Sequence, residues 1–260
     1  MLKNIGQSAR EIVVEYIEQG ILSGELRPGQ KVMSERELAA HLGVCRGAVR
    51  EGVARLEGMG LVQFSRGVKG GTTIRRDGGL QLAHLFRLHL SLHGADKSDV
   101  MEVRIALERA TAAFAANAVT TELIEDLTEL VDAMGKQTDR AAFDDLDTRF
   151  HHRIANHGDN GLLFDLTRAI RTTVADPIRK ATDRIEDWNA YQVLLTEEHR
   201  GIMQAIASGD PTQAADVMER HIRHAWEILP HDLGQHCGQS SDTTEEPDED
   251  HHEDLGNQAA

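Results

Sequence analysis

Residues 34–57 constrain the fold more than any other part of the chain. Ser34 and Glu37 have the spacing of a capping box, which predicts that a short helix begins here. Gly43 permits the left-handed backbone that ends one helix and turns the chain sharply into another. A second helix is predicted from about Arg46. Its narrow apolar stripe consists of Val49, Val53 and Leu56.

Arg46 and Arg50 lie one turn apart near the start of this second helix and outside its apolar stripe. An isolated pair of arginines usually only solvates a helix face. Here, however, residues 63–74 form two short β-prone runs joined by a glycine-rich loop, which predicts a two-stranded wing with Arg66 and Lys69 at its tip. A helix-turn-helix followed by a basic hairpin indicates binding in the grooves of double-stranded DNA.

The charge distribution agrees with this interpretation, although the net charge is -15. Residues 1–76 hold 12 Lys and Arg against 8 Asp and Glu, residues 77–230 hold 16 against 26, and residues 231–260 hold none against 9. The basic surplus therefore coincides with the predicted DNA-binding segment. The two cysteines, Cys45 and Cys237, are not expected to form a disulfide framework or a thiolate metal site. A cytoplasmic protein with no membrane partner is expected, because no long apolar run or signal peptide occurs.

The chain is predicted to be mostly α-helical, with four segments. Residues 1–76 form a winged helix-turn-helix domain, 77–79 a hinge, 80–233 an all-α bundle, and 234–260 a disordered acidic tail. The seven predicted helices of the bundle span roughly 80–93, 98–118, 121–135, 140–157, 160–183, 188–207 and 211–229.

Four metal-capable side chains lie beside apolar stripes on three of these helices. Asp147 and His151 share one helix row, and His199 and His221 occupy equivalent inward positions on two later helices. A single inward histidine is usually a satisfied core residue. Four such groups are harder to bury unpaired, since each costs about 1–3 kcal/mol without a partner. A divalent cation would satisfy all four, with Zn²⁺ as first candidate and Ni²⁺, Mn²⁺ or Fe²⁺ as alternatives.

The role of this metal stays open at the level of the residues, and so does that of Arg104. The metal could be structural, catalytic or a platform for a ligand. Arg104 lies one turn before Glu108, so it could form an ordinary ion pair, or it could face the metal and bind a carboxylate in a bidentate manner.

Several motifs resemble a known family. The winged helix-turn-helix of GntR-family bacterial transcription regulators is matched by Ser34–Ala39, Leu42–Glu51, Leu56–Val62 and Gly67–Thr73. The second half resembles the all-helical FCD domain of the FadR-like branch, which senses a metabolite. There the matching features are Val103–Glu108, Asp147–His151 with the following Asn160, His199 and His221.

The resemblance implies specific roles for these residues. It implies that Arg36, Arg46 and Arg50 contact operator DNA. Lys69 and Gly70 of the wing would enter the minor groove. It implies that a divalent metal is bound by Asp147, His151, His199 and His221. Arg104 and Asn160 are placed at the ligand. The resemblance further implies a homodimer on a short palindrome, released from DNA when an organic acid binds.

The chain departs from the family pattern at three positions in or next to the helix-turn-helix. Met33 stands where proline is usual, Cys45 where a capping serine is usual, and Ala48 where threonine or proline is common. The resulting hypothesis is a homodimeric repressor that is not an enzyme and responds to a small sugar or hydroxy acid at a metal. The alternatives are a metal-dependent enzyme fused to a DNA-targeting domain, and a regulator with a purely structural metal.

Overall fold

The computed structural model describes residues 7–67, 70–76, 79–93 and 96–229, without the side chains of Leu80, His93 and Lys97. The predictions made for Lys69, for most of the hinge and for the acidic tail fall outside these residues. Within them, no helix is both long enough and apolar enough to cross a membrane.

The N-terminal part contains three helices and a two-stranded antiparallel sheet. The elements are α1 (Ala9–Leu22), α2 (Glu35–Leu42), α3 (Arg46–Gly58), β1 (Val62–Ser65) and β2 (Gly71–Ile74). Val62 lies opposite Ile74 in the sheet. The apolar faces of all three helices and the base of the sheet pack together in one hydrophobic core. That core contains Val13, Ile17, Leu38, Val49, Leu56 and Val62.

Local sequence signals fix the turn between α2 and α3. The Oγ atom of Ser34 accepts a hydrogen bond from the backbone of Glu37, whose carboxylate accepts one from the backbone N–H of Ser34. Gly43 has a φ of 65°, which a residue with a Cβ rarely adopts. Cys45 caps α3 in place of the usual serine, with Sγ accepting from the N–H of Ala48 at 3.5 Å.

Seven helices form the rest of the described chain. They are α4 (Gly79–His93), α5 (Lys97–Asn117), α6 (Thr121–Met134), α7 (Arg140–His157), α8 (Gly161–Thr182), α9 (Trp188–Ala207) and α10 (Pro211–Ile228). The predicted fold class, a winged helix-turn-helix followed by an all-α bundle, is confirmed for the described residues.

The packing of this bundle places three helices around one buried volume. Helix α7 packs against α5, α6 and α8, while α9 and α10 pack against each other and against α5. Phe143, Phe150 and Ile154 of α7 are buried with Ile202 of α9 and Met218 of α10. The inward faces of α7, α9 and α10 therefore meet in the core, where the predicted metal ligands lie.

Candidate metal centre and adjoining cavity

The four predicted ligands come together. Asp147 and His151 of α7, His199 of α9 and His221 of α10 each offer one ligand atom, and these atoms lie within 4.8 Å of one another. The three imidazoles are at most 4% exposed, and the ring centroids of His199 and His221 are 4.5 Å apart. Three helices thus present nitrogen and oxygen ligand atoms to one small, largely buried volume.

Two of the imidazoles are oriented by acceptors at Nδ1. In His199, Nδ1 lies 2.6 Å from the carbonyl oxygen of Leu195, and in His221 it lies 2.8 Å from Oε2 of Glu198. A carbonyl or carboxylate oxygen can only accept a hydrogen bond, so Nδ1 carries the proton in both rings. A ring that carries only this proton has its lone pair on Nε2. This is the arrangement in which an outer acceptor orients a metal-binding histidine.

The third imidazole, His151, has a different environment. Its Nδ1 lies 2.5 Å from Oε2 of the buried Glu108, but the contact is poorly aligned, and neither ring nitrogen has a hydrogen bond of good geometry. Nε2 of His151 is 3.7 Å from Oδ1 of Asp147. Burial, with the nearby Arg171 guanidinium, lowers the pKa of His151 to about 3. The ring is therefore neutral at pH 7, as a metal ligand must be.

Asp147 is held by Arg171 of α8. The Nη2 atom of Arg171 lies 2.5 Å from Oδ2 of Asp147, and its Nη1 atom is 3.0 Å from both carboxylate oxygens of Glu108. Burial alone would raise the pKa of Asp147, but the charge of Arg171 keeps it well below its usual range. Oδ2 is thereby engaged, and an ionised Oδ1 faces the histidines.

The contact between His199 and Asp147 tests whether a cation fits. Nε2 of His199 lies 3.0 Å from Oδ1 of Asp147, while Nδ1 of the same ring donates to the Leu195 carbonyl. Two acceptors at this distance repel unless a proton or a cation lies between them. The buried Nε2 of His151, without a hydrogen bond, points to the same requirement. Three imidazoles and one carboxylate are donors that Zn²⁺, Ni²⁺, Mn²⁺ and Fe²⁺ accept, so the residues fit a divalent metal.

A cavity of about 400 Å³ adjoins this cluster, within the size range of small-molecule sites. Its wall includes Asp147, Arg104 and Arg171. A smaller space of about 40 Å³ shares Arg104 and Asp147 with it and reaches His221. A larger depression of about 660 Å³ lies on another side of α7 and is lined by none of the four cluster residues. We therefore take the cavity beside Asp147 as the candidate ligand site.

Arg104 forms the ion pair with Glu108 that its spacing predicts, and its carboxylate-binding role stays a prediction. Its Nε atom lies 2.6 Å from Oε1 of Glu108, and the side chain is only 5% exposed. It also lines the cavity beside Asp147. Glu108 is its only hydrogen-bond partner among the described residues, which leaves both terminal amino groups for a ligand carboxylate.

Asn160 is not brought to this site. It is exposed, it precedes α8 as the N-cap, and its Oδ1 atom accepts a hydrogen bond from the N–H of Leu163 at 3.0 Å. It lines neither the 400 Å³ cavity nor the smaller space. In the structure the Asn160 side chain therefore caps α8, and the ligand-binding role that the resemblance implied for it stays a prediction.

Comparisons with known proteins agree with this architecture. Residues 9–74 match the family described as bacterial regulatory proteins, gntR family, and residues 99–224 match the FCD domain. The HTH-type transcriptional regulator LutR of Bacillus subtilis (strain 168) is 30% identical over 212 residues, which cover 80% of this chain and 95% of LutR. The chain belongs to the GntR family.

Two further proteins are similar to this chain over most of its length. The HTH-type transcriptional repressor NanR of Cronobacter sakazakii is 28% identical over 228 residues, covering 84% of this chain and 85% of NanR. The solved structure described as Streptococcus agalactiae GntR has a TM-score of 0.60 and 25% identity, covering 84% of this chain and 99% of the other. The protein is accordingly a metabolite-responsive, DNA-binding transcription regulator of the GntR family with a C-terminal FCD domain.

The GntR domain exposes the arginines predicted to contact DNA. Arg36 of α2, Arg46 and Arg50 of α3, and Arg66 after β1 are all exposed. Gly70 lies at the turn of the wing, where a Cβ atom would come within 2.3 Å of the carbonyl oxygen of Ser65. Glycine is therefore required there by the turn itself. The DNA contacts of these residues stay a prediction.

Sequence reasoning did not single out three residues that shape the FCD site. Arg171 falls in the apolar row of Thr167, Ile170 and Val174 on α8, and an arginine within such a stripe is the signal that could have revealed it. Glu198 directly precedes His199, yet it contacts His221 and His224 on α10. No spacing rule predicts that contact, because it depends on how α9 and α10 pack. Asp144, one turn before Asp147, was also overlooked.

Proposed function

We propose that this GntR-family protein is a homodimeric repressor that leaves its operator when a small carboxylate binds beside a divalent metal in the FCD domain. The observation that carries the proposal is the 3.0 Å approach of Nε2 of His199 to the ionised Oδ1 of Asp147. It supports a cation at this point, and the adjoining cavity with Arg104 supports an anion next to it.

The metal would be held by Asp147, His151, His199 and His221, with Zn²⁺ as the first candidate and Ni²⁺, Mn²⁺ or Fe²⁺ as the alternatives. When bound, it supplies a positive charge that attracts an oxygen ligand. The chain supplies the orientation: Glu198 and the Leu195 carbonyl hold two imidazoles, and Arg171 holds Asp147.

The effector carboxylate would bind between the metal and Arg104. The terminal amino groups of Arg104 are fixed in direction by the bond from Nε to Glu108. Guanidinium groups bind carboxylates in a planar, two-point manner, which adds geometric selectivity. The cavity volume of about 400 Å³ limits the effector to a small molecule.

Effector binding can change the position of the winged domain through α8 and α4. Arg171, which contacts Asp147, lies on α8, and α4 packs along α8 through Leu90, Ile170 and Val174. Helix α4 directly follows the winged domain. If an effector favours one arrangement of this pair about 100-fold, the coupling free energy is about 2.7 kcal/mol, which is enough to empty an operator near saturation.

A dimer is needed because a palindrome presents two half-sites about 34–36 Å apart. Helix α4 supports such a dimer, since it is apolar on more than one side. Leu90 packs against α8, whereas Leu85 and Leu92 are 63% and 81% exposed. Large apolar side chains exposed together along one helix often mark an interaction surface. In our proposal a second copy covers these leucines, and DNA contacts fall to Arg36, Arg46, Arg50, Arg66, Lys69 and Gly70.

No observation favours an enzyme, and the family consists of transcription regulators. We therefore assign no reaction to the metal, and we place the protein in the cytoplasm, where bacterial operators lie.

A thermal-shift screen tests the proposal. The full chain is loaded with Zn²⁺ and incubated with sugar acids, hydroxy acids and dicarboxylates, with and without EDTA. An acid that raises the melting temperature only without EDTA should also release the protein from an operator selected from random duplexes. If EDTA lowers the melting temperature but no acid changes stability or DNA binding, the metal is purely structural and the effector proposal is wrong.

A further inference from the structure

Asp144 is an acidic residue in the wall of the ligand cavity to which the proposed metal site gives no role. It lies on α7 three residues before Asp147, and residues three apart on a helix lie on the same side. Asp144 lines both the 400 Å³ cavity and the smaller space, together with Arg104. It is therefore within the volume that an effector would occupy.

The carboxyl group of Asp144 is incompletely paired. Its Oδ2 atom is buried and has no hydrogen-bond partner in the structure. Burial, followed by the charges of Asp147 and Asp183, raises the pKa of Asp144 to about 7. An acidic side chain in this position has an acceptor oxygen in either protonation state. A hydrogen-bond donor on a bound ligand would satisfy it.

The surrounding side chains indicate which kind of donor fits. The same cavity is lined by Arg104, Arg171 and Arg179 and by Asp145, Asp147 and Asp176, so its wall already carries both signs of charge and a neutral donor fits it without adding another. Apolar walls from Phe143 and Ile178 flank Asp144 in the smaller space. A neutral hydroxyl on a carbon chain matches both features, because it can donate to Asp144 while its carbon atoms contact the apolar walls.

We propose that Asp144 is a specificity residue that accepts a hydrogen bond from a hydroxyl group of the effector. The cavity then selects hydroxylated acids, such as sugar acids, over unsubstituted acids of the same chain length. This inference rests on the proposed function, because it requires the effector carboxylate to be held beside Asp147 and Arg104.

Isothermal titration calorimetry of the Zn²⁺-loaded full chain tests this with two matched pairs of acids. The pairs are 4-hydroxybutyrate with butyrate, and gluconate with hexanoate. The first pair lacks an α-hydroxyl group, so direct chelation of the metal by a neighbouring hydroxyl does not contribute. We expect the hydroxylated member of each pair to bind about tenfold more tightly, which corresponds to about 1.4 kcal/mol.

Three variants separate the role of Asp144 from a general change in charge. Asp144→Ala should reduce the affinity ratio to about one, while the affinity for butyrate and hexanoate stays within about twofold. Asp144→Asn retains a carbonyl oxygen and should retain most of the ratio. Glu122→Gln removes the charge of an exposed residue on α6 that lines neither the 400 Å³ cavity nor the smaller space, and it should leave the ratio unchanged. Titration of each variant with Zn²⁺ shows whether the fold and metal site are intact.

The outcomes distinguish this inference from the function on which it rests. An unchanged ratio in Asp144→Ala, or no preference within either pair for the wild type, overturns the role of Asp144 alone. If Zn²⁺ binds but none of the four acids does, the effector part of the proposed function fails, and the role of Asp144 fails with it.

Discussion

Nε2 of His199 lies 3.0 Å from Oδ1 of Asp147, and this contact joins α9 to α7 inside the core of the FCD domain. The Leu195 carbonyl fixes the proton of His199 on Nδ1, and Arg171 keeps Asp147 ionised. In a singly protonated His199 ring, the Nε2 lone pair and Oδ1 of Asp147 are two acceptors that parts of the fold outside the pair hold facing each other. A cation between them relieves the repulsion, which makes the metal and the fold mutually stabilising.

Replacing one ligand should remove this stabilisation. His151→Ala should abolish the Zn²⁺-dependent rise in melting temperature. At a Zn²⁺ concentration 100 times the dissociation constant the wild type gains about 2.7 kcal/mol, or roughly 5–10 °C for a domain of this size. Differential scanning fluorimetry with and without EDTA measures the effect.

His152→Ala is the matched control for this measurement. His152 is the next residue on the same helix, but it lines the 660 Å³ depression rather than the metal cluster. This variant should keep the full Zn²⁺-dependent rise, whatever its own stability. Equal losses in the two variants would show that the site is not the one described here.

The metal-free protein should become less stable as the pH falls from 6.5 to about 4. Burial lowers the pKa of His151 to about 3, that of His152 to about 4, and that of His221 as well. The unfolded chain takes up these protons near pH 6.5, so it binds more protons than the folded state throughout this range. The pKa of Asp144 is raised to about 7, so at this residue the folded state binds the extra proton. This stabilises the folded state as the pH falls and offsets the destabilising effect of about one histidine.

Urea denaturation in EDTA at pH 7.5, 6.5, 5.5 and 4.5 checks the sign of this effect. Each unpaired proton changes the free energy of unfolding by about 1.4 kcal/mol per pH unit. His151→Gln should reduce the slope of the free energy of unfolding against pH by the contribution of roughly one proton. A free energy of unfolding that is constant or rises towards low pH would contradict the neutral, buried histidines.

Much of the fold follows from local signals in the sequence. The Ser34 capping box, the left-handed Gly43 and the apolar row of Val49, Val53 and Leu56 specify the helix-turn-helix almost without tertiary context. The helical rows through Asp147, His151, His199 and His221 also predict that these groups face inward. Their convergence in the structure follows because each row lies beside an apolar stripe that the core must bury.

Other parts of the site depend on contacts between helices, which spacing along the chain does not encode. Glu198 precedes a predicted ligand but orients His221 on another helix. Asn160 was assigned to the ligand by resemblance, whereas the local geometry uses its side chain to cap α8. Arg171 links Glu108 and Asp147, which are 39 residues apart, so its role becomes visible only when α5, α7 and α8 are packed together.

The exposed arginines at the start of α3 should contribute most of the DNA affinity. Arg46→Ala combined with Arg50→Ala should weaken binding to a selected operator at least tenfold and reduce the salt-dependence slope by about two, because two phosphate or base contacts are lost. Fluorescence anisotropy at several salt concentrations measures both quantities. Arg55→Ala, an exposed residue near the end of the same helix, should change neither. The reverse ranking would contradict the docking of α3.

Restoring serine at position 45 should stabilise the winged domain. Sγ of Cys45 accepts from the N–H of Ala48 at 3.5 Å, and a serine oxygen makes a shorter and stronger cap. Cys45→Ser should add about 0.5–1 kcal/mol, whereas Cys45→Ala should destabilise the domain. Chemical denaturation of the three proteins gives the ranking, and a serine variant weaker than wild type would argue against the cap.

Introducing negative charges on the exposed apolar face of α4 should dissociate the proposed dimer. Leu85→Glu combined with Leu92→Glu places two carboxylates in the exposed apolar face of α4 and should yield monomers with much weaker operator binding. Val193→Glu is the control, since Val193 is an apolar residue on α9 with 51% exposure. Analytical ultracentrifugation decides the matter. A dimeric double variant, or a monomeric Val193→Glu, would move the interface away from α4.

Anomalous X-ray diffraction from crystals of the Zn²⁺-loaded protein, collected on both sides of the zinc absorption edge, tests the central claim most directly. We predict an anomalous peak bounded by Oδ1 of Asp147 and the Nε2 atoms of His151, His199 and His221. A peak at any other group of residues, or no peak in a fully loaded and folded protein, would contradict the account.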